Sequence, residues 1–183
     1  MESHTFAIQI RAAGYCLAIL IVLTAGSGCG DDHQAASTDV AFETIQEGFD
    51  GHFNRPWDRD RDPLTAPTVF RFDDPESFGA FWRQLLVVKP EFGPPTPVVD
   101  FDTHTVVAVV DAPELYYANT VTIQRIERRP GQLRVLVVYR VIGDFCYKGD
   151  LLTQPYHIVA LAKTNLDIEM QVDTDLVTCT PIP

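Results

Sequence analysis

The stretch 74-DPESFGAFWRQLL-86 decides the fold, because it carries the one clear helical periodicity in the chain. Asp74 can cap a helix there, and Pro75 suits the first helical position. The large apolar side chains recur at i, i+3, i+4, i+7 and i+8, as Phe78, Phe81, Trp82, Leu85 and Leu86. This pattern predicts one amphipathic helix over residues 75–87.

Outside that helix the hydrophobic pattern has a period of two, which is typical of β-strands. Residues 133–141 alternate clearly, and the Pro130-Gly131 pair before them predicts a turn. Thr105–Val110 is apolar on both faces, which favours a central strand. Further predicted strands are Val40–Gln46, Thr68–Phe72, one that begins at Val121, His157–Lys163 and 167–172. The fold class is therefore α+β, a mostly antiparallel sheet or sandwich with one helix against it.

The first 28 residues have the parts of a secretory signal peptide. Arg11 precedes the uncharged run Ala12–Leu23, and small residues follow it up to Cys29. Twelve apolar residues span roughly 18 Å as a helix, which is short of the ~30 Å hydrocarbon layer of a membrane. We therefore expect residues 1–28 to be a signal peptide and the rest of the chain to be exported.

The Gly28-Cys29 junction resembles the lipobox of bacterial lipoproteins, with Gly26 in the place of the usual leucine. The resemblance implies lipidation at Cys29, and Gly30 after the cysteine implies sorting to the outer membrane more than the inner. A clean secretory cut and an uncleaved anchor remain the alternatives. Residues 29–38 are small and polar and predict a flexible tether. One domain then occupies residues 39–183.

Two cysteines remain in the predicted mature domain, Cys146 and Cys179. In an oxidising compartment they most simply form a disulfide, and the alternative is two unpaired buried thiols. The bridge would close a loop of about 34 residues. By lowering the entropy of the unfolded chain, such a loop would raise the unfolding free energy by roughly 3–4 kcal/mol.

The mature chain resembles the PrcB-like family, whose name comes from a lipoprotein that stabilises a protease complex. Four segments carry the resemblance: FETIQEGFDG (42–51), FGAFWRQLL (78–86), PVVDFDTHTVVAVV (97–110) and LLTQPYHIVALAK (151–163). The sequence departs from the family at 114-ELYYAN-119, where a Gly-Gly-Tyr turn is common. The resemblance implies an extracytoplasmic accessory or binding subunit and provides no catalytic residues.

Residues of the kind that carry catalysis are sparse, so we expect no enzyme. The mature chain has Ser37 and Ser77 as its serines, and neither lies in a strand–turn–helix elbow of the kind that serine nucleophiles use. We also expect no cofactor and no resident metal. The weaker alternatives are a calcium loop at Asp58, Asp60 and Asp62, which lacks the required glycine, and a divalent-metal site at Asp100, Asp102 and His104.

Aromatic side chains in predicted loops are the better candidates for binding. They are Trp57, Tyr116, Tyr117, Phe145 and Tyr147. Tyr116 and Tyr117 are the preferred contact residues, whereas the others can equally cover the ends of the sheet. Together with Asp144, Lys148 and Asp150, these loops leave open a small-ligand or glycan-binding module.

The net charge of −11 excludes a general affinity for nucleic acid and predicts repulsion from anionic headgroups. The function expected from sequence is thus an exported, lipid-anchored, non-enzymatic domain. It would bind and stabilise another envelope protein, with a protease as the candidate partner, in the periplasm or at the cell surface.

Overall fold

A computed structural model describes residues 37–51, 53, 64–86, 93–114, 119–143, 146 and 152–179. The elements in chain order are β1 (Thr38–Asp39), β2 (Phe42–Gly48), β3 (Thr68–Phe72), α1 (Pro75–Leu86), β4 (His104–Val110), β5 (Thr120–Arg129), β6 (Gln132–Ile142), β7 (Tyr156–Ala162) and β8 (Asp167–Val177). A β-rich α+β fold is therefore confirmed. Within this described part, no helix has the length and hydropathy needed to cross a membrane.

The strands form two four-stranded sheets, sheet A in the order β1-β5-β6-β8 and sheet B in the order β2-β7-β4-β3. Every pairing is antiparallel except that of β6 with β8, which is parallel. The strand predicted at Val40–Gln46 is found as β2, which begins two residues later, and the short strand β1 precedes it in the other sheet. The chain leaves sheet A just after Val40, whose N–H donates to the Ile126 carbonyl at 2.8 Å.

Helix α1 begins and packs as its sequence predicts. The Ser77 N–H donates to Asp74 Oδ1 at 2.8 Å, which caps the first turn. Its apolar face packs on sheet B in one hydrophobic cluster, whose buried members are Phe53, Phe72, Phe78, Phe81, Trp82, Leu85, Val106, Ala108, Val110, Tyr156 and Ile158. The Trp82 indole N–H, which also needs a partner when buried, donates to the Pro94 carbonyl at 3.1 Å.

The other face of sheet B contributes to a second cluster, which includes residues of both sheets. Its buried members are Val107, Val109, Val121, Ile123, Ile126, Leu133, Val135, Val137, Val159 and Leu161. Strand β4 therefore buries both of its faces, which explains why residues 105–110 show no polar alternation. Each fully buried valine or leucine contributes about 1.5–3 kcal/mol through the hydrophobic effect.

A buried histidine connects the two sheets. His157 Nδ1, on β7, accepts the backbone N–H of Ile123 at 2.8 Å, next to the β-bulge in β5. His157 Nε2 lies 3.0 Å from the Thr44 hydroxyl. Because Nδ1 accepts, the neutral ring carries its proton on Nε2 and donates it to Thr44. Burial lowers the pKa of His157, which keeps the ring in this neutral form.

Strand β5 runs from one end of the two sheets to the other. We call the end where β4 finishes and β5 begins the loop end; Ile142 and Tyr156 also lie there. The opposite end of β5 leads through Pro130 and Gly131 into β6, and we call it the hairpin end. Gly131 has a φ of 80°, which only glycine adopts at little cost, and this makes the tight turn possible.

Candidate functional site

Polar side chains from four segments of the chain meet at the loop end. The apolar run of β4 stops at Val110, and Asp111 and Glu114 follow it directly. Asn119 precedes β5, Tyr139 lies near the end of β6, and Gln154 precedes β7. We call Asp111, Glu114, Asn119, Tyr139 and Gln154 the Asp111 cluster.

The Glu114 carboxylate is the hub of this cluster. It accepts a hydrogen bond from the Tyr139 hydroxyl at 2.6 Å and another from the Asn119 side-chain amide. Asn119 Oδ1 in turn accepts the Ile142 N–H at 3.0 Å. The Glu114 backbone also exchanges two hydrogen bonds with Thr153, at 2.8 and 2.7 Å. Charge-assisted bonds of this kind are the stronger ones in proteins, so Glu114 is firmly held.

Segment 115–118 joins two residues whose side chains bond directly to each other. Glu114 precedes it and Asn119 follows it, so their hydrogen bond closes the base of the segment. Both predicted contact residues, Tyr116 and Tyr117, belong to this segment and lie outside the described residues. The sequence prediction for them thus concerns a segment whose two ends are fixed by the Asp111 cluster.

Asp111 is a carboxyl with an incomplete set of partners. It is only 2% exposed, and its Oδ1 accepts the Ala112 N–H at 2.7 Å. Its Oδ2 has no hydrogen-bond partner among the described residues. Burial raises the pKa of Asp111 to about 6, and the nearby Glu114 carboxylate adds to this, while the Ala112 N–H opposes it. Asp111 therefore holds a proton more readily than an ordinary aspartic acid.

Tyr139 and Gln154 complete the surroundings of Asp111. Burial, and next the hydrogen bond to Glu114, raise the pKa of Tyr139, so its hydroxyl stays protonated. The Gln154 side-chain amide donates to the carbonyls of Phe53 at 2.7 Å and Asp111 at 3.0 Å. Gln154 thereby ties the start of β7 to the end of β4, and the cluster serves as a polar scaffold at the loop end.

The predicted disulfide is present at the same end of the domain. Cys146 and Cys179 are bridged, with their Cα atoms 5.0 Å apart. The Cys146 N–H donates to the Gly143 carbonyl at 3.1 Å, and the Gly143 N–H donates to Val177 at 2.9 Å. The bridge therefore fixes the chain after β6 to the chain after β8. Phe145 and Tyr147, on either side of Cys146, lie outside the described residues.

The residues of the alternative metal site, Asp100, Asp102 and His104, lie in a hydrogen-bonded turn before β4. Asp100 Oδ2 accepts the Thr103 hydroxyl at 2.8 Å and its Oδ1 accepts the Asp102 N–H at 3.0 Å, and these bonds lower the pKa of Asp100. His104 Nδ1 lies 2.8 Å from the same hydroxyl. Among the described residues, no group of three or more His, Cys, Asp or Glu is arranged to hold a metal ion. The other alternative, Asp58, Asp60 and Asp62, lies outside the described residues, as do Cys29 and Trp57.

Two surface cavities lie beside β2. A cavity of about 410 Å³ lies near the loop end, where Phe49, Arg140 and Tyr156 contribute to its lining. A second cavity of about 350 Å³ lies beside the Asp100 turn, with Glu43 and Val98 in its lining. The first has an exposed aromatic ring, an arginine and threonine hydroxyls, which are the groups that small polar ligands use.

Sequence reasoning missed the Asp111 cluster. One signal was available, since Asp111 ends a run of six buried residues without a charge, Thr105–Val110. Tyr139 falls on the alternating positions of residues 133–141, so the pattern predicts an apolar core position there and gives no sign of its hydrogen bond to Glu114. Comparisons of the chain with protein-family models, with curated proteins and with solved structures found no match.

Proposed function

We propose that this chain is an exported, lipid-anchored, non-enzymatic domain that binds and stabilises another envelope protein through segment 115–118. The resemblance to the PrcB-like family makes a protease the first partner to test. The observation that carries the proposal is the closed base of the segment. A short stretch with two adjacent tyrosines is joined at both ends to a partly buried hydrogen-bond network centred on Glu114.

Such an arrangement favours binding because a fixed base lowers the entropy that a contact segment loses when it meets a partner. Tyrosines add large contact area with few rotatable bonds, which is why they are frequent at interfaces. The disulfide supports the same interpretation, since it secures a neighbouring chain segment at the loop end. The two sheets would form a sandwich behind this end, because residues of both share the second hydrophobic cluster.

Lipidation at Cys29, with the outer membrane favoured over the inner, belongs to the same proposal. Intact-mass measurement of the protein purified from membranes tests it. The expected mass is that of the chain from Cys29 onward plus acyl groups. An unmodified chain that retains Met1 would contradict the anchor and the export.

The binding experiment is a pull-down from envelope extracts with the wild-type chain and with the double variant Tyr116→Ala plus Tyr117→Ala. Val98→Ala is the matched control, because Val98 is a fully exposed apolar residue away from the loop end. We expect the double variant to lose a partner protein that the wild type and the control both retain. Equal recovery by all three proteins, or no partner at all, would contradict the proposal.

The cavity of about 410 Å³ favours a second candidate, a periplasmic small-ligand or glycan-binding module. A ligand that binds the native state raises the melting temperature by mass action. At a ligand concentration one hundred times Kd, the unfolding free energy increases by about 2.7 kcal/mol. A thermal-shift screen of mono- and oligosaccharides therefore separates this function from the first. A shift that Arg140→Ala abolishes would support it, and no shift in the panel would count against it.

A further inference from the structure

Strand β8 is an open edge of sheet A, because among the described residues its sole strand partner is β6. It is 11 residues long, it pairs in a continuous register, and it contains no lysine, proline or glycine. Proteins usually blunt such edges by keeping them short, bulging them or covering them. The other edge strands follow that rule: β1 has two residues, β2 contains a bulge near Thr44, and β3 has five residues that are partly or fully buried. Strand β8 is therefore the edge at which a further strand can be added.

The pairing with β6 shows which backbone groups of β8 face the open edge. The Val177 carbonyl accepts the Gly143 N–H at 2.9 Å, so the backbone polar groups of Val177 point to the β6 side. Successive residues of a strand direct their N–H and C=O groups to opposite sides. The groups of the even-numbered residues from Ile168 to Leu176 therefore point outward, and in the part of the chain that the structure describes they have no hydrogen-bond partner.

This edge is held in place at both of its ends. Before β8, the Arg71 side chain donates to the carbonyls of Thr164 and Leu166, the latter at 2.7 Å. After β8, the Cys146–Cys179 disulfide ties the chain to the segment that follows β6. A strand that is already ordered loses little entropy when another strand pairs with it, so the edge is prepared for strand addition.

The side chains on one face of β8 are apolar. Ile168 and Met170 pack against the second hydrophobic cluster. Val172 and Leu176 continue the same row, but they are 37% and 59% exposed. A strand paired with β8 would cover both of them if its own side chains on this face were apolar.

The other face of β8 is acidic. Its carboxylates alternate with the apolar row and form what we call the acidic row: Asp167, Glu169, Asp173 and Asp175. Arg134 and Arg140 of β6 lie opposite the second and the fourth of them. Four carboxylates beside two guanidinium groups leave an excess of negative charge along the strand, and among the described residues Asp173 has no ion pair.

This charge pattern argues against a second copy of the chain as the occupant of the edge. In an antiparallel β8–β8 pair the outward-pointing residues of both strands face each other, which puts the two acidic rows on the same face. With Val172 at the centre, Glu169 of one copy would lie opposite Asp175 of the other. Like charges directly opposite each other destabilise a strand pair, whereas lysine or arginine at those positions would stabilise it.

We propose that the open edge of β8 binds an extended segment of a partner protein in which lysines or arginines alternate with apolar residues. The backbone of that segment continues sheet A through the outward-pointing groups of β8. Its apolar side chains cover Val172 and Leu176, and its cations pair with the acidic row. This surface is separate from segment 115–118, and the proposal depends neither on that segment nor on a lipid anchor.

The probe is a short synthetic peptide that alternates lysine with valine, added to the full protein while amide hydrogen exchange is followed residue by residue by NMR. In the free protein the even-numbered amides of β8 should exchange fast and the odd-numbered ones slowly, because only the latter bond to β6. At a peptide concentration roughly ten times Kd, exchange at the even-numbered amides should slow about tenfold, since about a tenth of the protein then remains free. The matched control peptide has glutamate in place of lysine and should leave exchange unchanged.

Two variants test the geometry and the charge separately. Thr174→Pro removes an N–H that points to the open edge and leaves the pairing with β6 intact, so the protein should keep its fold and lose the peptide. Asp173→Asn should weaken binding of the lysine peptide roughly two- to fivefold, the effect of one cross-strand charge pair. Glu76→Gln is the control for charge, because Glu76 is an exposed carboxylate on α1, and it should not change the affinity.

Equal slowing by the lysine and glutamate peptides, no slowing by either, or unchanged binding to Thr174→Pro would overturn the proposal. Fast exchange at the odd-numbered amides of Thr174→Pro would show that this variant has unfolded. The comparison of Asp173→Asn with Glu76→Gln then decides, and equal affinities would overturn the proposal. The double variant Tyr116→Ala plus Tyr117→Ala should bind the peptide like the wild type, so a failure at segment 115–118 can be told from a failure at this edge.

Discussion

Replacing the buried Asp111 with asparagine should stabilise the protein at neutral pH. In the folded state the pKa of Asp111 is about 6, against an ordinary value of 3.8. The native state therefore holds the proton more tightly than the unfolded state, and stability falls as pH rises from about 4 to about 6. At 1.36 kcal/mol per pKa unit, the charged form costs at most about 3 kcal/mol at pH 7.

Asparagine keeps the shape of Asp111 and an oxygen that can accept the Ala112 N–H, but it never ionises. We expect Asp111→Asn to raise the unfolding free energy at pH 7 by about 2–3 kcal/mol, or the melting temperature by roughly 5–10 °C. At pH 4, where native Asp111 is protonated, the two proteins should differ little. Urea denaturation of both proteins from pH 4 to pH 8 measures this difference.

The comparison of the two proteins is needed because His157 titrates in the opposite direction. Its lowered pKa means that stability is lost as pH falls below the ordinary histidine value of 6.5, which masks the effect of Asp111 in the wild type alone. His157 contributes equally to both proteins, so their difference isolates Asp111. A difference that is constant from pH 4 to pH 8, or a less stable variant at pH 7, would refute the reasoning.

Three further outcomes are expected in denaturation experiments. Reducing the Cys146–Cys179 bridge, or replacing both cysteines with serine, should lower the unfolding free energy by roughly 2–4 kcal/mol, whereas an unchanged midpoint under reductant would contradict the stabilising role. Asn119→Ala should lower the unfolding free energy by about 1–3 kcal/mol, because the Ile142 N–H loses its acceptor. Asn119→Asp keeps that acceptor but places a second carboxylate beside Glu114, so it should lower the unfolding free energy as well. Leu85→Ala should cost about 2–5 kcal/mol, since Leu85 is fully buried, while Val98→Ala at an exposed position should change stability by less than about 0.5 kcal/mol; similar losses for the two would argue against the packing of α1 on sheet B.

Helix α1 and most strands could be predicted because their signals are local. The apolar stripe of residues 75–87 gives Pro75–Leu86, and the alternation of 133–141 gives Gln132–Ile142. Strand β8 was predicted only to residue 172 but extends to Val177. Residues 173–175 are polar and exposed, so hydrophobic alternation is interrupted there, yet parallel pairing with β6 holds the backbone extended over the whole length.

The candidate site could be predicted only in part. The disulfide is predicted from the two cysteines that lie beyond the expected leader and Cys29, and it is confirmed. The tyrosine pair stays a prediction, because Tyr116 and Tyr117 lie outside the described residues. The Asp111 cluster has no comparable signal, because its members are scattered from residue 111 to residue 154 and come together only through the pairing of β4, β5, β6 and β7. Each of them alone is an ordinary polar or aromatic residue.

What the sequence determined by itself was therefore periodicity: where a helix lies, which residues of a strand share a face, and which two cysteines remain to pair. Only the tertiary structure decided which strands become neighbours. That choice depends on long-range pairing, which a repeat of two residues leaves open, and it separates β1 from β2. The β5–β6 hairpin is the exception, because the local turn at Pro130-Gly131 already makes its two strands neighbours. The parallel pairing of β6 with β8 has no such local signal.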